Sequence, residues 1–123
     1  MTGRVLFRRA PILVALLALP IAGCSGEAGP PAGCTDPVPA DTVRLEDFAF
    51  EPSCLQAAPG ATIRLENVGE TPHTFTVTET DVSFDVKAGE SAEGSLSGVE
   101  PGRYAVTCTY HPQMTATLTV EGQ

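Results

Sequence analysis

The sequence predicts an all-β domain, a sandwich or a barrel of about eight short strands, and three observations carry that prediction. Beyond Asp41 apolar and polar residues alternate in short runs, with the period of a half-buried strand. Turn signals such as Pro59-Gly60 and Pro101-Gly102 separate the runs at the spacing of an all-β fold. The 123 residues include 12 Gly and 11 Pro, and helical periodicity is missing from the C-terminal two thirds, which excludes a helical bundle. A chain of this length holds at most one small domain, so a multidomain enzyme is excluded. Domains this small often need crosslinks or metals as well as a core, and four cysteines are available for both.

The first element, residues 1–23, is an export signal: Arg4, Arg8 and Arg9 precede the apolar run from Ala10 to Ala22. That run falls short of the roughly 20 residues a spanning helix requires, so the segment is expected to be removed. Arg8-Arg9 is followed by Ala-Pro, which favours the general secretory route over the twin-arginine route. Its end, Ile21-Ala22-Gly23-Cys24, resembles the bacterial lipoprotein box, which implies cleavage before Cys24 and a lipid on its sulfur. The mature protein is then expected in the cell envelope, lipid-anchored and facing the periplasm or the exterior. Loss of three Arg leaves four basic against fifteen acidic residues, a formal charge of −11. Nucleic acid is thereby excluded as a partner. Such a charge serves solubility beside an anionic membrane or steering toward a basic protein.

Residues 24–40, rich in Gly, Pro and small polar side chains, read as the lipidated Cys24 and a flexible tether, and the domain is expected over residues 41–123. Thr42 to Phe50 opens it, and the apolar phase shifts from Val43 and Leu45 to Phe48 and Phe50, which predicts a bulge near Asp47. Cys54 to Ala57 and Ala61 to Asn67 follow, the latter with Ile63 and Leu65 on one face. In His73 to Glu79, His73, Phe75 and Val77 share the inward face; Val82, Phe84 and Val86 make a short strand and Ser91 to Ser97 a weak one. Gly102 to Cys108 places Tyr104, Val106 and Cys108 together, and the last strand places Met114, Ala116, Leu118 and Val120 together.

The chemistry-bearing residues gather in Cys108-Thr109-Tyr110-His111-Pro112-Gln113-Met114 and in His73, which include both histidines and the single methionine besides Met1. Cys108 ends one strand and Met114 starts the next, so both lie at one pole, with His111 in the loop between them. An antiparallel neighbour would bring His73 to the same pole. One thiolate, two imidazoles and one thioether select copper, because soft sulfur favours copper(I) and imidazole binds both oxidation states. Zinc fits less well, since thioether is a poor zinc ligand and no second Cys stands nearby. A nucleophilic Cys108 assisted by His111 would need an acid to orient the imidazole, and the loop supplies none.

Cys-x2-His-x2-Met with an upstream Pro-His-x-Phe resembles the type 1 (blue) copper proteins, the cupredoxins, with a loop spacing like that of amicyanin. The likeness spans residues 41–123, through Asp47-Phe48-Ala49-Phe50-Glu51-Pro52, Asn67 to Phe75, and Pro101-Gly102-Arg103-Tyr104. It implies a Greek-key β-sandwich holding one copper, with His73, Cys108 and His111 as equatorial ligands and Met114 as the axial one. Many members have Asn after the first His and Pro before the second, where this chain has Thr74 and Tyr110. A hydrogen bond between the two ligand loops must then come from the Thr74 hydroxyl or from elsewhere, with Asn67 and Gln113 as further loop supports. The resemblance also makes His111 the electron exit. Pro112, Tyr110, Pro72 and the segment Ala57-Ala58-Pro59 are expected to form an apolar docking patch around it.

With Cys24 assigned to lipid and Cys108 to copper, Cys34 and Cys54 remain to pair, which an exported protein permits. The expectation is a membrane-tethered, monomeric carrier of single electrons, not an enzyme, serving a redox partner such as a c-type cytochrome or a copper oxidase. The alternative is a copper-binding protein for delivery, storage or resistance. Such proteins often display extra Met or His ligands, and this chain has none outside the cluster.

Overall fold

A computed structural model describes residues 33–122; the expected export signal over residues 1–23 and the expected lipidation at Cys24 lie outside the described residues. Among the described residues ten strands form: β1 (Val38–Pro39), β2 (Thr42–Glu46), β3 (Ala49–Glu51), β4 (Cys54–Ala57), β5 (Thr62–Asn67), β6 (His73–Val77), β7 (Ser83–Val86), β8 (Ser91–Ser95), β9 (Gly102–Thr107) and β10 (Thr115–Val120). They build two sheets, a six-stranded one in the order β1-β4-β10-β9-β6-β7 and a four-stranded one in the order β3-β2-β5-β8. The chain passes repeatedly between the sheets, which makes β1/β4, β4/β10 and β2/β5 parallel neighbours in an otherwise antiparallel sandwich. The all-β sandwich is thus the fold.

Strand alternation delivers the core. Val43, Leu45, Ile63 and Leu65 from one sheet and Leu55, Phe75, Val77, Val106 and Leu118 from the other are fully buried. Phe50 and Phe75 bridge the sheets edge to face, with ring centroids 5.8 Å apart. At one edge the Phe84 ring lies over Gly94, where a Cβ would stand 2.6 Å from the ring, so only glycine lets β7 and β8 approach this closely.

Two expectations change. The phase shift at Asp47 comes from a two-residue hairpin turn rather than a bulge: Glu46 pairs with Ala49 and Leu45 with Phe50, leaving Asp47-Phe48 as the turn. Phe48 therefore points outward, 52% exposed and with φ of 72°, while Phe50 returns to the core. The ordered sheet also begins before residue 41. Val38 and Pro39 pair with Leu55 and Gln56, and the buried Ala40 donates its N–H to the Gln56 carbonyl at 2.8 Å. A two-residue strand has no periodicity to read, and Pro39 is tolerated because this strand lies at a sheet edge. These two segments raise the strand number from about eight to ten. The Cys34–Cys54 disulfide is present, with Cα atoms 5.3 Å apart, and fastens the segment before β1 to β4.

Candidate metal centre

Strand pairing assembles the cluster at one pole. β6 runs antiparallel to β9, with Thr76 opposite Thr107, so the start of β6 lies beside the end of β9 and His73 meets Cys108. The segment from Cys108 to Met114 closes on itself. The His111 N–H donates to the Cys108 carbonyl at 3.2 Å, Met114 N–H to the His111 carbonyl at 2.9 Å, and Cys108 N–H to the Met114 carbonyl at 3.1 Å. These turns carry the chain directly from β9 into its hydrogen-bonded neighbour β10.

The Cys108 Sγ lies 3.8 Å from His73 Nδ1 and 3.7 Å from His111 Nδ1. All three ligand atoms fall within 4.8 Å of one another. Metal–sulfur and metal–imidazole bonds of about 2.3 and 2.0–2.1 Å, opened to a trigonal angle, place sulfur and nitrogen about 3.8 Å apart, so these separations fit one shared ion. His73, Cys108 and Met114 are fully or almost fully buried, whereas His111 is partly exposed. A buried cysteine sulfur, two imidazole nitrogens beside it and a buried thioether at the loop end suit copper by softness and by number.

The surrounding hydrogen bonds brace this geometry. The Thr74 backbone N–H donates to Cys108 Sγ at 3.4 Å, and the Thr74 hydroxyl accepts the Thr109 N–H at 2.8 Å. The link between the two ligand loops is therefore made by Thr74. Asn67 is buried, donates to the Thr71 and Val86 carbonyls at 2.9 and 2.8 Å, and accepts the Gly69 N–H at 2.9 Å, which fixes the loop leading into His73. Tyr110 donates its hydroxyl to the Asp85 carboxylate on β7. That hydrogen bond raises the Tyr110 pKa and moors the ligand loop to the neighbouring strand.

Sequence reasoning missed Asp47 and Phe48, because both stand 25 or more residues before His73 and in the other sheet. The Asp47 carboxylate lies 3.1 Å from His73 Nε2. The Glu70 backbone N–H donates to that carboxylate and holds its pKa below the usual carboxylate value. Phe48 packs edge-on against His111, with ring centroids 4.9 Å apart.

Tyr110, Pro72 and Pro112 are exposed at this pole, and Val68 and Phe48 join them there as exposed apolar side chains. The segment Ala57-Ala58-Pro59 does not. β4 runs parallel to β10, so Cys54 lies opposite Thr117 near the cluster and Ala57 lies opposite Val120 at the far pole. Its inclusion in a docking patch is overturned by this parallel pairing, which no local pattern announces.

Among families of known proteins, the cupredoxin-like domain matches residues 13–120. The methylamine utilization protein MauL of Methylophilus methylotrophus is 30% identical over 114 residues, which cover 88% of this chain. The chain spans 66% of the length of that relative. Among solved structures, a purple cupredoxin from Nitrosopumilus maritimus superposes with a TM-score of 0.55 at 19% identity, over 65% of this chain and 98% of its own. An oxidized proline-to-alanine mutant of amicyanin superposes with a TM-score of 0.53 at 26% identity, over 67% of this chain and 82% of its own.

Proposed function

This chain belongs to the cupredoxin-like family, and from that premise we propose that it is a membrane-tethered blue copper protein carrying single electrons between redox partners of the cell envelope. The observation that carries the reading is the convergence of Cys108 Sγ with the Nδ1 atoms of His73 and His111 in a largely buried cluster. Copper is the family's metal, and held by His73, Cys108, His111 and Met114 it would supply one reversible electron by alternating between copper(II) and copper(I).

The protein's own residues keep the cost of that alternation low. Closed turns from Cys108 to Met114, the Thr74–Thr109 bond and the Thr74 N–H to Cys108 Sγ leave the ligands little room to rearrange. His111 is the ligand nearest solvent, so it is the exit for the electron, within an apolar rim of Phe48, Tyr110, Val68, Pro72 and Pro112. A partner such as a c-type cytochrome or a copper oxidase would dock there, drawn by the net negative charge. Removal of residues 1–23 and a lipid on Cys24 would leave the folded domain on a short tether at the membrane surface. A Cys108 sulfur spent on the ion would not serve as a nucleophile, which supports a carrier over an enzyme.

The test is to load the mature chain with copper(II) and record visible and electron paramagnetic resonance spectra beside Cys108→Ala. An intense copper–thiolate band with narrow hyperfine splitting, lost in the variant, is expected. A colourless tetragonal copper signal would refute the assignment.

A further inference from the structure

We propose that Asp47 is a positioning residue for the metal centre, holding His73 protonated at Nε2 so that its Nδ1 lone pair faces Cys108. The part of this inference that concerns copper rests on the function proposed above; the part that concerns the imidazole does not. His73 is 0% exposed, so its ring cannot settle its protons with solvent. Its two nitrogens meet different groups. Nδ1 faces the Cys108 sulfur at 3.8 Å, while Nε2 faces the Asp47 carboxylate at 3.1 Å and, less closely, the Thr71 hydroxyl at 3.4 Å. A carboxylate can only accept, so the ring proton belongs on Nε2 and Nδ1 is left bare for a metal.

The carboxylate is itself held in place. Both its oxygens lie within 3.1 Å of the Glu70 N–H, and the Thr71 hydroxyl donates to it at 3.2 Å. Asp47 sits in the two-residue turn between β2 and β3, which is bound in turn by the loop that follows β5. That loop comes so close at Gly69 that a Cβ there would stand 2.3 Å from Asp47 Oδ1 and 3.1 Å from the Asp47 backbone nitrogen. Gly69 is therefore required by space: any side chain would push the turn, and the carboxylate with it, away from His73. A ligand histidine whose second nitrogen donates to a carboxylate is more basic and favours the higher-charged metal. The Asp47 charge then biases the site toward its oxidised form, with the turn acting from the sheet that contributes no ligand.

Two measurements on the mature chain decide the matter. In the metal-free protein, nitrogen-15 NMR of the imidazoles should show His73 protonated at Nε2, and Asp47→Ala should shift it to a tautomer mixture. This arm stands whether or not the protein is a copper carrier. In the copper-loaded protein, Asp47→Asn keeps the side-chain shape and removes the charge. It should weaken oxidised over reduced copper by about tenfold, raising the potential by about 59 mV. Gly69→Ala, which keeps the charge and displaces it, should raise the potential in the same direction. Glu46→Gln removes an equal charge next door, from a carboxylate that pairs with Arg44 instead, and serves as the control. A wild-type spectrum without a blue band would refute the function while leaving the tautomer result to judge Asp47. An Nδ1-protonated His73, a tautomer unchanged by Asp47→Ala, or a potential equal in Asp47→Asn and Glu46→Gln would overturn the positioning role.

Discussion

Removing the Cys34–Cys54 bond separates what stabilises the sandwich from what builds the metal centre. The two cysteines are 20 residues apart in sequence, so the bridge closes a loop that an unfolded chain would otherwise leave open. In the chain-entropy treatment a loop of that length is worth about 11 cal/mol/K, or about 3 kcal/mol at 25 °C. The native contacts of this segment survive the change: Val38 and Pro39 stay paired with β4, and Arg103 still donates to the Cys34 carbonyl at 2.5 Å. None of these restrains the unfolded chain, so the loss is not offset by them. Cys34→Ala with Cys54→Ala should therefore lose about 3 kcal/mol in urea and melt roughly 12–24 °C lower. The urea m-value should rise, because an uncrosslinked denatured chain exposes more surface. The visible copper band should stay in place, since the ligands stand on β6 and in the β9–β10 loop rather than on β4. A loss below about 1 kcal/mol with an unchanged m-value would refute the entropic reasoning.

Two further substitutions probe the packing around the site. Gly94→Ala drives a Cβ into the Phe84 ring and should cost about 1–3 kcal/mol in urea unfolding, with Phe84→Leu in the same chain recovering much of it. Asn67→Ala removes three hydrogen bonds at a buried position and should cost about 2–4 kcal/mol, read by the same assay. Because that loop also carries Glu70 and Thr71, the second variant should increase amide exchange at both.

Much of this architecture was legible in the sequence, for definite reasons. The inward face of β5 follows from strict alternation, because a strand has period two and a half-buried sheet makes that period visible, and the same period places Phe75 and Val77 of β6 and Val106 of β9 in the core. Alternation misled at Thr42 to Phe50, where a reversal of direction and a bulge produce the same change of phase. Only cross-strand pairing of Glu46 with Ala49 tells them apart. The short β1 was illegible for want of length, and the far-pole position of Ala57 for want of any local sign of parallel pairing.

By itself the sequence determined the ligand chemistry and the loop that carries most of it: Cys108, His111 and Met114 are close in the chain, and their softness and spacing select a metal. The resemblance to the cupredoxins offered the Thr74 hydroxyl as one source of the bond between the ligand loops and left others open. The tertiary structure alone decided what stands behind the ligands. Asp47 reaches His73 across 26 residues, Thr109 reaches Thr74 across 35, and Phe48 turns outward onto His111. Periodicity reports which face of a strand is buried, whereas these contacts depend on which turn of one sheet closes over the end of the other, and that is fixed only once both sheets pack.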